Sequence, residues 1–167
     1  VRPAGAEPWV YEMAEPGLNY RASDIACALG LSQLGNLSAI LRQRRQLART
    51  YAALLSGNSA DFVFIEPSAD VDLSAWHLAR VLIDFSSIAP SRSELMRSLG
   101  EAGIGTQVHY IPVHLQPFFC RKFPDLALPG AEKYYARSLS LPLFSQMTAE
   151  DVTFVIQALK SACNGNA

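Results

Sequence analysis

The sequence has little that would fasten it to a nucleic acid, a membrane or a metal. Net charge is −1 and the pI is near 6.3. No general basic excess is therefore available for a phosphate backbone or an anionic leaflet, and neither partner is expected. The three cysteines, Cys27, Cys120 and Cys163, are far apart and odd in number. They form no CxxC or zinc spacing, so free buried thiols in a reducing compartment are expected. No apolar run approaches the roughly 20 residues that span a bilayer. The first residues also lack the basic-then-apolar order of a secretion signal, which makes the cytoplasm the expected location. GxGxxG, Walker A, GxSxG and HExxH are all absent. His109 and His114 flank Pro112, but no nearby Asp, Glu or Cys completes a ligand set, so no metal is expected.

What is present is the composition of a folded domain. Of 167 residues, 50% are hydrophobic and 17% charged, enough for one core and against disorder. Residues 1–22 carry Pro3, Gly5, Pro8, Pro16 and Gly17 and read as an extended lead-in. Its apolar Trp9, Val10, Tyr11 and Met13 predict a cover from elsewhere. The chain opens at Val1 rather than Met, and a part upstream of it is expected.

A long helix is predicted over residues 22–55, with Ser23 as N-cap and Asp24 in the favourable first turn. Leu34, Leu37, Leu41, Ala48, Tyr51 and Leu55 define one apolar face. In the first half Ile25, Cys27, Ala28, Leu29 and Leu31 extend the apolar surface most of the way round, which predicts burial on all sides. Gly30 and Gly35 each cost about 1 kcal/mol against Ala in a helix, and a close backbone approach is the expected reason for them. Arg42, Arg44, Arg45 and Arg49 read as a solvated face or a subunit contact. Gly57 and Asn58 form the expected stop.

Beyond the helix, strands are predicted at residues 62–65, 76–85, 106–110 and 139–143. A helix opened by the Ser91–Glu94 capping box stops at Gly103. Residues 111–129 read as a proline-rich loop, residues 131–137 as a short helix, and Thr148 caps a last helix. The order α-β-β-α-β-α-β-α predicts an α/β or α+β fold: a sheet of three or four strands with helices on one face and a long N-terminal helix. Three segments follow: the lead-in (1–22), the long interface helix (23–57) and a small domain (58–167).

Two stretches combine unusual chemistry with a fixed backbone. In Gly103-Ile104-Gly105-Thr106-Gln107-Val108-His109-Tyr110-Ile111-Pro112-Val113-His114-Leu115-Gln116-Pro117, a strand runs into a proline-fixed loop bearing two His, one Tyr and two Gln. Such strand ends project polar groups from a rigid base, although a structural crossover has the same composition. In Gly17-Leu18-Asn19-Tyr20-Arg21, a turn precedes a helix whose first N–H groups attract anions. His77 lies among apolar residues and reads as a core or strand-edge histidine.

These two stretches, with Ser23-Asp24-Ile25-Ala26-Cys27-Ala28-Leu29-Gly30-Leu31-Ser32-Gln33-Leu34, Ser74-Ala75-Trp76-His77-Leu78 and Leu139-Ser140-Leu141-Pro142-Leu143, resemble the DegT/DnrJ/EryC1/StrS aminotransferases. The likeness runs from Gly17 to Leu159. Its wording around Cys27 and His109 is most similar to the branch that makes the 4-amino sugar precursor of pseudaminic acid. The resemblance implies the C-terminal small domain of a fold type I enzyme dependent on pyridoxal 5′-phosphate (PLP). Such an enzyme moves an amino group from glutamate to a 4-keto nucleotide sugar, here a UDP sugar. It further implies a homodimer with active sites shared between subunits, the apolar lead-in and the apolar start of the long helix packing on the large domain and on the second subunit. Asn19 is matched to a residue that reaches the neighbour's PLP phosphate, and Arg21, His109, Tyr110 and His114 to residues near the nucleotide-sugar site. The family's Schiff-base lysine lies upstream of the asparagine turn. Lys122, Lys133 and Lys160 match no such position and read as surface residues, so the chain alone is expected to be inactive. A non-catalytic module binding a nucleotide sugar or a protein is the alternative.

Overall fold

The computed structural model describes residues 5, 17–18, 20–56, 62–64 and 73–164. Gly57 and Asn58 lie outside these, as do most of the lead-in and Asn19. The first helix, α1, spans Asp24–Leu55. Ser23 caps it, its Oγ accepting the Ala26 N–H at 3.3 Å, and Asp24 sits in the first turn where the helix dipole favours an acid. The chain divides into two compact units, Val1–Leu37 and Ser38–Ala167.

In the first unit the described residues are exposed. Ile25, Leu31 and Leu34 are 84%, 73% and 66% accessible, so the described chain does not itself supply the cover expected for this stretch. A Cβ added at Gly30 or Gly35 meets nothing within 4 Å, so the described chain supplies no close approach there. By length and composition alone α1 is apolar enough to cross a membrane, with an 18-residue window of mean hydropathy 1.3 that is 0% buried. Scanning for unbroken apolar runs overlooks this because Ser32, Gln33 and Asn36 interrupt the stretch without adding charge.

The second unit holds the core. Leu47, Ala48, Tyr51 and Leu55, which share one face of α1, are all buried. Burying each large side chain contributes about 1.5–3 kcal/mol. Burial pushes the Tyr51 phenol well above its ordinary pKa, with the Asp151 carboxylate adding to the shift, and its hydroxyl donates to the Pro142 carbonyl at 2.8 Å. The sheet is β1 (Phe62–Phe64), β2 (Ala79–Ile83) and β3 (Ser138–Leu141), in that order and antiparallel throughout. Ala79, Val81 and Ile83 alternate into the core with Leu139 and Leu141 of β3.

Helices α2 (Arg92–Glu101) and α5 (Ala149–Cys163) carry the other half of the core. Both open with complete capping boxes, Ser91–Glu94 and Thr148–Asp151. Gly103, at φ +78°, reverses the chain after α2 so that the Ile104 N–H reaches the Leu99 carbonyl at 2.8 Å and Ile104 enters the core. A side chain would strain that position.

Two expectations for the middle of the chain change. The strand predicted over residues 106–110 shrinks to one antiparallel bridge, Gln107 to Ser140, with N–H···O distances of 3.2 and 2.8 Å. The Gln107 side chain accepts the Val108 N–H at 2.9 Å, drawing that amide away from any ladder. The predicted loop at 111–129 instead forms a 3-10 turn, Val113–Leu115, and helix α3, Pro117–Lys122, with Pro117 at the helix start where its missing N–H costs nothing. Helix α4 follows at Pro129–Arg137. Of the cysteines only Cys163 is buried; Cys27 and Cys120 are exposed, against the expectation of buried thiols.

Candidate functional site

β2 and β3 present their second face to a groove. Arg80 stands out of phase with the core-facing Ala79, Val81 and Ile83 and pairs in register with Ser140. The Ser140 Oγ lies 2.8 Å from His109 Nδ1, which occupies that ring nitrogen and leaves Nε2 for another partner. The Tyr110 ring meets the His109 ring edge-on, with centroids 4.6 Å apart at 75°. With residues 74–78 and Tyr134 of α4, these side chains line an open groove of about 460 Å³.

One wall of the groove is held by α1. Arg44 Nη1 donates to the Trp76 carbonyl at 2.9 Å and to the His77 carbonyl at 3.2 Å, and Arg45 Nε to the Ser74 carbonyl at 3.2 Å. Trp76 sits at φ +48°, a left-handed conformation costly for a bulky residue, with its side chain buried. The two arginines and the Trp76 N–H bond to Ser74 Oγ (3.1 Å) hold the wall in that shape. Arg44 and Arg45 thus brace this wall, a role that neither the solvated face nor the subunit contact expected of them includes. His77, expected in the core or at a strand edge, is exposed on the groove.

His114 is placed differently. It is buried, and its Nε2 lies 3.0 Å from Glu132 Oε1 on α4. The same Glu132 oxygen accepts the Leu128 N–H at 3.1 Å. The bond from His114, then that from Leu128, holds the Glu132 carboxyl below its ordinary range. His114 therefore ties the 3-10 turn to the start of α4, whose Tyr134 lines the groove.

Of the expected site residues, His109 and Tyr110 meet in the groove and His114 lies outside its lining. Arg21 is exposed in the other unit, and Asn19 is outside the described residues. Reading by residue type passed over Arg80, Tyr134, Ser140 and the brace from Arg44. The period-two alternation of β2 and of Leu139-Ser140-Leu141 carried a signal for Arg80 and Ser140; nothing local carried one for Arg44.

The lysines bear on cofactor chemistry. Lys160 Nζ donates to the Leu54 carbonyl at 3.1 Å, Lys122 lies 5.5 Å from the Phe123 ring centre, and Lys133 is exposed. No lysine is among the groove's described lining.

Comparison with known proteins identifies the family. Residues 2–160 match the DegT/DnrJ/EryC1/StrS aminotransferase family, and the chain belongs to that family. The spore coat polysaccharide biosynthesis protein SpsC of Bacillus subtilis is 36% identical over 163 residues, which cover 94% of this chain and 41% of SpsC. Among solved structures, PseC of Helicobacter pylori, an aminotransferase involved in the biosynthesis of pseudoaminic acid, superposes with a TM-score of 0.81 at 27% identity. That match covers 95% of this chain and 42% of PseC. DesV of S. venezuelae, solved in complex with a ketimine intermediate, gives 0.76 at 28% identity, over 93% and 40% of the two chains. The fold is that of the C-terminal part of fold type I aminotransferases, and the chain spans about two fifths of the length of these relatives.

Proposed function

We propose that this chain is the C-terminal part of a PLP-dependent sugar aminotransferase that moves an amino group from glutamate to a 4-keto nucleotide sugar. The carrying observation is the groove of His109, Tyr110, Tyr134 and Arg80, which has no lysine in its described lining, in a chain whose family is aminotransferases. In this reading the groove takes the nucleotide sugar, and the cofactor and its lysine belong to the part of the protein upstream of Asn19. Amino transfer is then the cofactor's chemistry, and this chain's share is to bind and orient the sugar.

The further assignments follow the same reading. Residues 1–22 are the end of the large domain, 23–57 the helix between domains, and 58–167 the small domain. Asn19 reaches the cofactor phosphate of a second subunit in a homodimer, and Arg21 lies near the nucleotide-sugar site with His109 and Tyr110. His114 acts there through its tie to Glu132. The exposed apolar start of α1 is covered in the full-length protein by the large domain and the second subunit, which supports a soluble, cytoplasmic dimer. The likeness to PseC supports a UDP sugar on the pseudaminic-acid route.

The test is to express the full-length protein and look for a yellow, PLP-bound dimer whose colour bleaches on adding glutamate and returns on adding a 4-keto UDP sugar. Absence of any bound PLP would sink the reading and favour a non-catalytic module that binds a nucleotide sugar or a protein. Asn19→Ala should weaken PLP retention; unchanged retention would remove the phosphate role of Asn19.

A further inference from the structure

The groove contains one charge that nothing among the described residues answers. Arg80 is half-buried on the second face of β2 and has no hydrogen-bond or ion-pair partner among the described residues. Its in-register neighbour Ser140 is committed to His109. The groove's described lining includes no Asp or Glu. A partly desolvated guanidinium with no acid in the described lining is costly unless an anion is brought to it, as a ligand can. The planar fork of Arg matches phosphoryl oxygens two at a time.

The remaining lining sets the size and character of that ligand. The groove, at about 460 Å³, is larger than a lone phosphate needs and within the range of small-molecule sites. Tyr110, 71% exposed, and Tyr134 offer aromatic surface beside the charge, and His109 offers its free ring nitrogen. A cation beside aromatic faces, with no opposing acid among the described lining, suits a molecule with both an anionic and a flat or ring-shaped part.

We infer that Arg80 is the anion-binding and specificity-determining residue of this groove, and that it takes the diphosphate of a nucleoside-diphosphate ligand. The inference rests on the reading of the groove as the sugar-nucleotide site and adds to it the residue that recognises the diphosphate. A carboxylate, from the glutamate donor or from an acidic sugar, has related chemistry and is separated by the test.

The test uses the full-length protein and titration calorimetry, comparing wild type with Arg80→Gln and Arg80→Lys. The probes are UDP, dTDP, uridine, thymidine and glutamate. One of the two nucleotides should bind wild type. Arg80→Gln should weaken it about 10- to 100-fold, the usual loss for hydrogen bonds to a charged group. The matching nucleoside should be affected no more than about twofold, since the lost bonds are to phosphate. Arg80→Lys should recover part of the loss, because it restores the charge without the fork. If Arg80→Gln does not fold, Arg80→Lys carries the test, with a smaller selective loss for the nucleotide. The inference is overturned if both folded variants bind the nucleotide like wild type, if nucleoside binding falls equally, if wild type takes neither nucleotide, or if only glutamate binding changes. Nucleotide recognition through Arg80 without any amino transfer would instead overturn the functional reading and leave the role of Arg80 standing.

Discussion

The two halves of α1 are built from similar residues and meet opposite surroundings. Leu47, Tyr51 and Leu55 are almost fully buried, whereas Ile25, Leu31 and Leu34 lie open. Hydrophobic periodicity is common to both, so it reports that a face will be covered and not by what. The C-terminal half is covered by its own chain and, through Arg44 and Arg45, also holds the groove wall. The N-terminal half is not covered by the described residues, and in our proposal the rest of the aminotransferase covers it.

The comparison breaks most sharply under truncation of large side chains. Tyr51→Ala should destabilise the chain by about 3–5 kcal/mol, the range for emptying an aromatic core position. Leu34→Ala should cost under about 0.5 kcal/mol in the isolated chain, as at other exposed sites. Equal losses in chemical denaturation would mean that both halves are buried.

Arg44→Ala should have the next largest effect. Losing its bonds to the Trp76 and His77 carbonyls should cost about 1–3 kcal/mol. Hydrogen exchange should rise locally at residues 74–78 before any global change. Unchanged exchange there would show that the strained wall holds without the arginine.

Gly35→Ala sharpens the comparison in the opposite sense. With free space around it and a helical backbone, the substitution should stabilise the isolated chain by about 0.5–1 kcal/mol. In the full-length protein the added methyl should weaken assembly if another backbone approaches there. A stabilising effect of the same size in both would remove the close-approach explanation for this glycine.

The smallest effect is that of pH on the His114–Glu132 tie. Glu132 is held below its ordinary 4.5, so its bonds persist above that value and are lost as pH falls through the lowered one. The Tm advantage of wild type over Glu132→Gln should therefore shrink between about pH 6 and about pH 3. A constant difference over that range would show that the carboxylate does not hold the turn to α4.

Much of the fold was legible because it is written in local signals. The boxes Ser91–Glu94 and Thr148–Asp151, the cap at Ser23 and the turn at Gly103 all depend on neighbours a few residues away. The strand at 106–110 was not legible, because a side chain of that segment takes one of its own amides. The site was half legible. His109 and Tyr110 stand out by type, while Arg80 becomes a site residue only through strand parity and the Ser140–His109 bond across β3. The Arg44 brace spans 32 positions and leaves no local trace. What covers the N-terminal half of α1 was not legible, because its residues carry no record of where their cover comes from.

Thiol labelling tests that last point most directly, since Cys27 and Cys120 are exposed in this chain and only Cys27 lies on the N-terminal half of α1. In the isolated chain both should react, as identified by mass spectrometry of their peptides. In the full-length, cofactor-loaded protein Cys27 should become protected by the covering domain or subunit. Equal reactivity of Cys27 in the two forms would contradict the claim that the rest of the protein covers this helix.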